Sequence, residues 1–431
     1  MTATAAPDTA VAAPRASALA RSLTASGILR IAAEVREMMA RGEPVANLTV
    51  GDFSPTEFRI PEFLADAISE AIRAGETNYP PSSGMPVLRD ALRALYTRSL
   101  NLEYDPNSVV IASGARPIIY GTYRAIVDAG DRVVFPVPSW NNQYYCVLVE
   151  AEGVPVPAGP ETAFLPTADS LRPALPGARM LVLNSPANPT GTAFTPETLV
   201  DICDLVLEEN ARRGPGERPL YLLYDQVYWM LTFGEVKHVT PLELRPELRP
   251  YTILADAASK PFAATGLRVG WGLGPADIMG HVSDVVSHAG AWAPRAEQIA
   301  MAKLLESGSV VTDFMAKMCS SVQARLNAMY SGCMALRAEG FAVDAVAPQG
   351  AIYLSAQFAL HGRTTPSGDT LHTDEDVRRY VLRSAGVAVI PFEVFGYADG
   401  SGWCRLSAGA VSVKDIEAMF PRLRTALQAL R

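Results

Sequence analysis

The run Thr252-Ile253-Leu254 is followed closely by Ala257-Ala258-Ser259-Lys260-Pro261-Phe262-Ala263-Ala264-Thr265-Gly266-Leu267-Arg268-Val269-Gly270. A short β-branched run thus empties into a loop of small residues, one proline, two glycines and two cations. Four similar runs precede it: Val109-Val110-Ile111, Val133-Val134-Phe135, Met180-Leu181-Val182-Leu183 and Tyr221-Leu222-Leu223-Tyr224. They alternate with helical stretches as far as about Val282, and that alternation predicts an α/β protein with a mostly parallel, doubly wound sheet. Each run ends in a polar loop containing Gly or Pro. Open sheets of this kind bind ligands beyond the carboxyl ends of their strands, so these loops are the expected seat of chemistry.

The pattern changes on both sides. A long helical stretch, Ala296 to Leu336, gives way to strands at Phe341-Ala342-Val343, Ala351 to Ser355, Val387 to Ile390 and Trp403 to Ser407, mixed with helices. A smaller α+β domain is predicted there, carrying an exposed, Gly- and Thr-rich insertion at His361 to Thr373. Upstream, apolar residues at helical spacing run from Ile28 to Gly42 and lead to a strand at Val45 to Val50. Two amphipathic helices between Pro61 and Leu100 then flank the turn-rich segment Asn78 to Gly84. The expected divisions are a disordered tail over 1–20, an N-terminal segment over 21–60 joining the small domain, a large domain over 61–335 and the small domain over 336–431.

Composition narrows the function. With 431 residues, 49% of them hydrophobic and 19% charged, the chain can bury a large core. A net charge of −8 argues against a nucleic-acid partner, whose phosphates call for a basic surface. Five single cysteines show no CxxC pair and five histidines no HExxH spacing, so neither a disulfide framework nor a metal site is expected. The first twenty residues lack the features of a signal peptide, and no stretch reaches the ~18 apolar residues of a membrane helix. A cytoplasmic protein with no membrane partner is expected.

Four segments at strand ends carry the chemistry: Asn188-Pro189-Thr190-Gly191, Asp225-Gln226-Val227-Tyr228, Ser259-Lys260 and Gly266-Leu267-Arg268-Val269-Gly270. Lys260 is one of only five lysines and sits between small residues and Pro-Phe, a poor setting for a solvated surface amine. Asp225 closes an apolar run, which places its carboxylate at the sheet edge; a helix N-cap is the plainer reading. Asn188 to Gly191 could equally be an ordinary turn. Ser113-Gly114-Ala115-Arg116 follows a strand and opens a helix, where Gly permits close approach and unpaired N–H groups favour an anion.

Taken together and in this order, the segments resemble the fold-type I pyridoxal-5′-phosphate (PLP) enzymes, and more closely the class I/II aminotransferases of the aspartate aminotransferase superfamily. The resemblance runs from about Leu48 to the C-terminus. It implies that Lys260 bonds the PLP aldehyde and moves the substrate α-proton. It further implies that Asp225 faces the pyridine nitrogen, that Tyr228 and Asn188 meet the ring oxygen, and that Trp140 stacks on the ring. Gly114, Ala115, Arg116 and Arg268 would hold the phosphate. Ala257 stands where the family usually has Gly or Ser, so Ser259 is the candidate to replace a missing hydroxyl. Tyr79 matches the tyrosine that reaches the neighbouring subunit's phosphate, which implies a homodimer with shared sites. Arg405 would grip the substrate α-carboxylate, and Gly51 would face the substrate.

The implied reaction is amino-group transfer between an α-amino acid and a 2-oxo acid such as 2-oxoglutarate. Arg116 either supplements the phosphate clamp or grips a distal carboxylate, which would select aspartate or glutamate. A lyase or decarboxylase of the same fold is the nearer alternative. A ligand-sensing transcription regulator is the remoter one, because the residues ahead of the resemblance are not basic.

Overall fold

A computed structural model describes residues 15–23 and 27–431. Its strands, in chain order, are β1 Ala46–Asn47, β2 Val109–Ala112, β3 Arg132–Val137, β4 Glu152–Pro157, β5 Ala178–Asn184, β6 Tyr221–Asp225, β7 Thr252–Ala257, β8 Gly270–Leu273, β9 Val343–Ala345, β10 Tyr353–Phe358, β11 Val387–Ala388, β12 Ile390–Pro391 and β13 Trp403–Ser407. Seven of them form one sheet in the order β2-β8-β7-β6-β5-β3-β4. Only β8 runs against its neighbours; the remaining pairings are parallel. This is the mostly parallel, doubly wound α/β sheet that the alternating runs predict.

The strands read as unbroken apolar runs because both faces are covered. Leu222 and Tyr224 of β6 enter the core shared with helices Glu62–Arg73, Pro86–Leu100, Pro196–Arg212 and Arg295–Glu306. Tyr221 and Leu223, pointing the other way, pack with helices Ala115–Ile126, Asn142–Val149 and Ala276–His288. The side-chain period of two in a strand divides the residues in this way.

A second, antiparallel sheet has the order β12-β13-β10-β9. Its core takes in residues from helix Gly308–Ala338 to helix Val413–Gln428, together with Ala46 and Leu48. Helix Gly27–Ala40 buries Ile31, Val35 and Met38 against Phe392, Phe395 and Trp403, while Arg378 ties Glu34 to the helix Asp374–Ala385 at 2.8 Å.

Several boundaries differ from the sequence expectation. The helix expected over Ala296 to Leu336 is two helices, parted at Ser307, and the second runs through the 335/336 boundary. The strand expected over Val45 to Val50 shrinks to Ala46–Asn47 paired with Val387–Ala388. Beyond it the carbonyl of Thr49 is taken by the Arg405 side chain rather than by a strand. Of the tail expected over 1–20, residues 1–14 lie outside the described residues. Ala18–Ser22 is not irregular but a short helix capped by Ser17. Among the described residues no helix is long and apolar enough to cross a membrane, and no cluster of side chains suits a metal ion.

Candidate active site

A cavity of about 570 Å³ opens at the carboxyl ends of the central strands. Lys260, Asp225, Tyr228, Asn188, Arg268 and Arg405 all line it, as do Gly51, Ala115, Arg116, Trp140 and Ser259. Segments separated by up to hundreds of residues in sequence therefore converge on one space. Gly114 and Tyr79 do not line it: Gly114 lies against the Arg268 guanidinium, and Tyr79, 80% exposed, meets Trp292 edge-on at 5.3 Å.

One end of the cavity is built for an anion. Helix Ala115–Ile126 begins at Gly114, whose φ of 91° is open to glycine alone at little cost. A Cβ on Gly114 would come within 2.3 Å of Arg268 Nη2, and one on Gly270 within 2.2 Å of the Gly114 carbonyl carbon. The two glycines thus let the Arg268 guanidinium lie against the first turn of the helix. Arg268 itself sits at a left-handed φ of 56°, held by bonds from Nη1 to the Thr265 carbonyl at 2.9 Å and Nη2 to the Ser113 carbonyl at 2.7 Å. Burial and the like charge of Arg116 lower its basicity, an arrangement that an incoming anion relieves.

The centre holds the titrating groups. Lys260 Nζ donates to the Gly51 carbonyl at 2.5 Å and lies 5.8 Å from the centre of the Tyr228 ring. Asp225 is partly buried at the end of β6, and its desolvation pushes the carboxyl up to about 6 against the pull of the Val227 N–H and Lys260. Residues after it form turns rather than a helix, so the N-cap reading gives way to a carboxylate that braces its own loop at 3.1 Å. Tyr228 shares a hydrogen bond of 2.8 Å with Tyr353.

At the other end, Arg405 is buried under Tyr353 and Phe395, its guanidinium carbon 4.6 and 5.0 Å from their ring centres. It donates to Asn188 Oδ1 at 3.1 Å and the Thr49 carbonyl at 2.7 Å, yet its Nε has no partner. Burial lowers its basicity, so a carboxylate ligand would complete it. Arg116 lies over Trp140 at 4.4 Å.

Tyr353, Asp52, Ile28 and Phe164 also line the cavity and were not singled out in the sequence. Tyr353 arrives through pairing of β10 with β13, where Ser355 stands opposite Arg405. Ile28 comes from the N-terminal helix, and Phe164 from a loop packed on Phe392 and Trp403. Only Asp52, one residue after Gly51, carried a local signal.

A fold with its lysine at a strand end, a helix N-terminus with an arginine for an anion, and a second buried arginine defines a class of cofactor-dependent amine chemistry. The profile of the aminotransferase class I and II family matches residues 43–423, and the chain belongs to that family. The chain is similar to an aspartate aminotransferase of Rhizobium meliloti strain 1021, 32% identical over 87% of this chain and 88% of the relative. A probable aspartate/prephenate aminotransferase of Rhizobium leguminosarum bv. phaseoli is 32% identical over 86% and 89%. Among solved structures, the aspartate aminotransferase from Rhizobium meliloti superposes with a TM-score of 0.88, at 29% identity, covering 97% of this chain and all of that one. That of Thermus thermophilus with maleate gives 0.84 at 27% identity, covering 96% and 100%.

The protein is accordingly a PLP-dependent transaminase. Its cavity fits the cofactor: the glycine-lined cradle beside Arg268 suits a phosphate, the Asp225 carboxylate at the end of β6 a ring cation, and the Lys260 amine an aldehyde.

Proposed function

We propose that this transaminase prefers dicarboxylic substrates, aspartate or glutamate with 2-oxoglutarate, and that it acts as a homodimer with shared sites. The observation that carries the substrate class is the pair of arginines lining one cavity, Arg405 and Arg116. Arg405 takes the α-carboxylate, its unpartnered Nε adding a donor to the fork. Arg116 makes a ring contact with Trp140 and no hydrogen bond among the described residues, so its donors remain for a second carboxylate. The maleate held by the Thermus neighbour is itself a dicarboxylate.

In this reading Lys260 bonds the cofactor and carries the proton of the substrate α-carbon. Asp225 pairs with the ring nitrogen, Tyr228 and Asn188 meet the ring oxygen, and Trp140 lies on the ring face. Gly114, Ala115, Ser259 and Arg268 hold the phosphate. PLP, when bound, supplies an electron sink for the charge left by the departing proton. Gly51 offers its carbonyl to the lysine when the amine is not otherwise engaged, which keeps Nζ pointed into the cavity.

Arg116→Ala separates the two roles open to that residue. Loss of a distal contact lowers kcat/KM for aspartate by about 10- to 100-fold and leaves alanine nearly unchanged. Equal losses for both amino acids, with easier release of PLP, would assign Arg116 to the phosphate and remove the dicarboxylate preference.

The exposed Tyr79 supports the dimer, as do Phe63, Ile72 and Val87 on the two flanking helices, all exposed large apolar groups. Mixing Lys260→Ala with Tyr79→Phe subunits gives hybrids in which one site has both residues intact. Activity therefore rises above that of either parent if Tyr79 serves the partner's site. Subunit exchange proven by mass, without recovery, would refute it. We also assign the cofactor cradle to a domain over 61–335 and Arg405 to one over 336–431 that carries 21–60 with it, in line with the two separate cores. A reducing, cytoplasmic setting suits five free cysteines, four of them buried.

A further inference from the structure

Behind the cavity, Asp256 of β7 stands in the apolar layer between the sheet and the helix Pro86–Leu100, fully buried and opposite Trp271 of β8. Its Oδ2 accepts from Tyr96 Oη at 2.9 Å and from Trp229 Nε1 at 2.8 Å, and its Oδ1 accepts from the Ala257 N–H at 2.7 Å. Tyr96 Oη in turn accepts from Trp271 Nε1 and from Gln226 Nε2, both at 3.2 Å. With two N–H groups aimed at its oxygen, the tyrosine proton has Asp256 as its outlet. His238, whose buried Nδ1 is unpartnered and whose basicity burial lowers to about 3, flanks Gln226 at 3.4 Å.

The members of this network are neighbours of the reacting groups in sequence. Gln226 follows Asp225 and Trp229 follows Tyr228; Ala257 opens the turn to Ser259 and Lys260. We propose that Asp256 is a positioning residue that locks the loop bearing Asp225 and Tyr228 to the turn bearing Lys260, through one carboxylate shared by Trp229, Tyr96 and the Ala257 N–H. This rests on the site assignment given above. A buried carboxylate is costly and stabilises less than a well-packed hydrophobe, so fixing geometry is the more economical account of its presence. Burial pushes its carboxyl up to about 8 against its three donors, with Asp225 raising it further.

The test compares Tyr96→Phe, Trp229→Phe, Asp256→Asn and Asp256→Ala as holoenzymes. Tyr96→Phe removes one donor and keeps its ring, and Trp229→Phe removes the other together with part of a buried indole. Each lowers kcat about tenfold with KM within about twofold, the scale seen when a residue orienting a reactive group is lost. Each also moves the pH at which the absorbance band of the lysine-bound cofactor titrates. Asp256→Asn keeps an oxygen for Tyr96 and Trp229 but turns its amide nitrogen toward the Ala257 N–H, so it falls between the parent and Asp256→Ala, which falls with the aromatic variants. In the apoprotein, Asp256→Asn also removes a loss of stability as pH rises from 3.8 to about 8, because the native carboxyl keeps a proton there that the unfolded chain has lost. Folded aromatic variants with parental kcat and an unmoved titration, whatever their Tm, would overturn the proposal. So would a folded Asp256→Ala with the parental kcat, since no hydrogen bond from the carboxylate would then matter. Borohydride labelling of the parent away from Lys260 is a distinct result: it would overturn the site assignment and this inference with it, while parental labelling at Lys260 leaves the aromatic variants to decide.

Discussion

Lys260→Ala lowers turnover by at least ~10⁴-fold while the protein stays folded and still takes up PLP, because one side chain supplies both the bond to the cofactor and the proton carrier. No second amine can substitute: of the five lysines, Lys260 alone lines the cavity. The phosphate cradle does not involve the lysine, since Arg268 is held by Thr265 and Ser113 carbonyls. Borohydride reduction followed by peptide mapping checks the assignment directly. The parent should yield a stable adduct on the peptide containing Lys260, and the variant none. An adduct elsewhere, or a variant with turnover near the parent's, would sink it.

Asp225→Asn has opposite effects on activity and stability. Turnover drops by about 10²- to 10³-fold, the scale for removing one preorganised charge from a site where charge develops. The apoprotein becomes more stable. Asp225 is partly buried with its pKa raised from 3.8 to about 6 by desolvation, so the native state holds its proton more tightly than the unfolded chain does. Stability therefore falls as pH rises through that window. Above it the penalty is constant at up to ~3 kcal/mol, from about two pKa units at 1.36 kcal/mol each. Asparagine carries no such penalty. Unfolding of both apoproteins from about pH 4 to 8 should show curves that meet at the acid end and part toward neutrality. Parallel curves would mean that this carboxylate is ionised as easily in the fold as out of it.

Much of the site was legible in the sequence because its chemistry is local. Lys260 comes just after β7, Asp225 closes β6 and Arg268 stands just before β8, and a strand end fixes where a side chain lands. Gly114 was readable for the same reason, as the turn between β2 and its helix demands a positive φ. Tyr353, Ile28 and Phe164 were not, since each reaches the cavity through contacts made far along the chain. Tyr353 depends on the register of β10 against β13, and nothing in an apolar strand marks which residue will face a cavity. Asp256 was hidden differently: in sequence it is a strand residue before the lysine motif, and only the partners brought by Tyr96, Trp229 and Trp271 give it meaning. The break at Ser307 was invisible to periodicity, because apolar spacing continues on either side of it.

The position of β2 at the edge of the large sheet has a consequence for assembly. Its only strand partner is β8, made some hundred and sixty residues later, from Val109 opposite Leu273 to Ala112 opposite Gly270. Until translation passes Leu273, the amides of Val110 and Ala112, which face β8, have no ladder to join. Val109 and Ile111, by contrast, bond the upstream Pro106 and Ser83 carbonyls, and β3, β4, β5 and β6 can pair in the order in which they emerge. Closure over so long a loop is slow. We therefore expect the amides of Val110 and Ala112 to be the last in the large sheet to gain protection in pulse-labelled hydrogen exchange during refolding. Early protection there would mean that β8 docks before the centre is built. The anion cradle at Gly114 hangs from this same late strand, so the polypeptide becomes able to retain its cofactor only in the closing stage of its own construction.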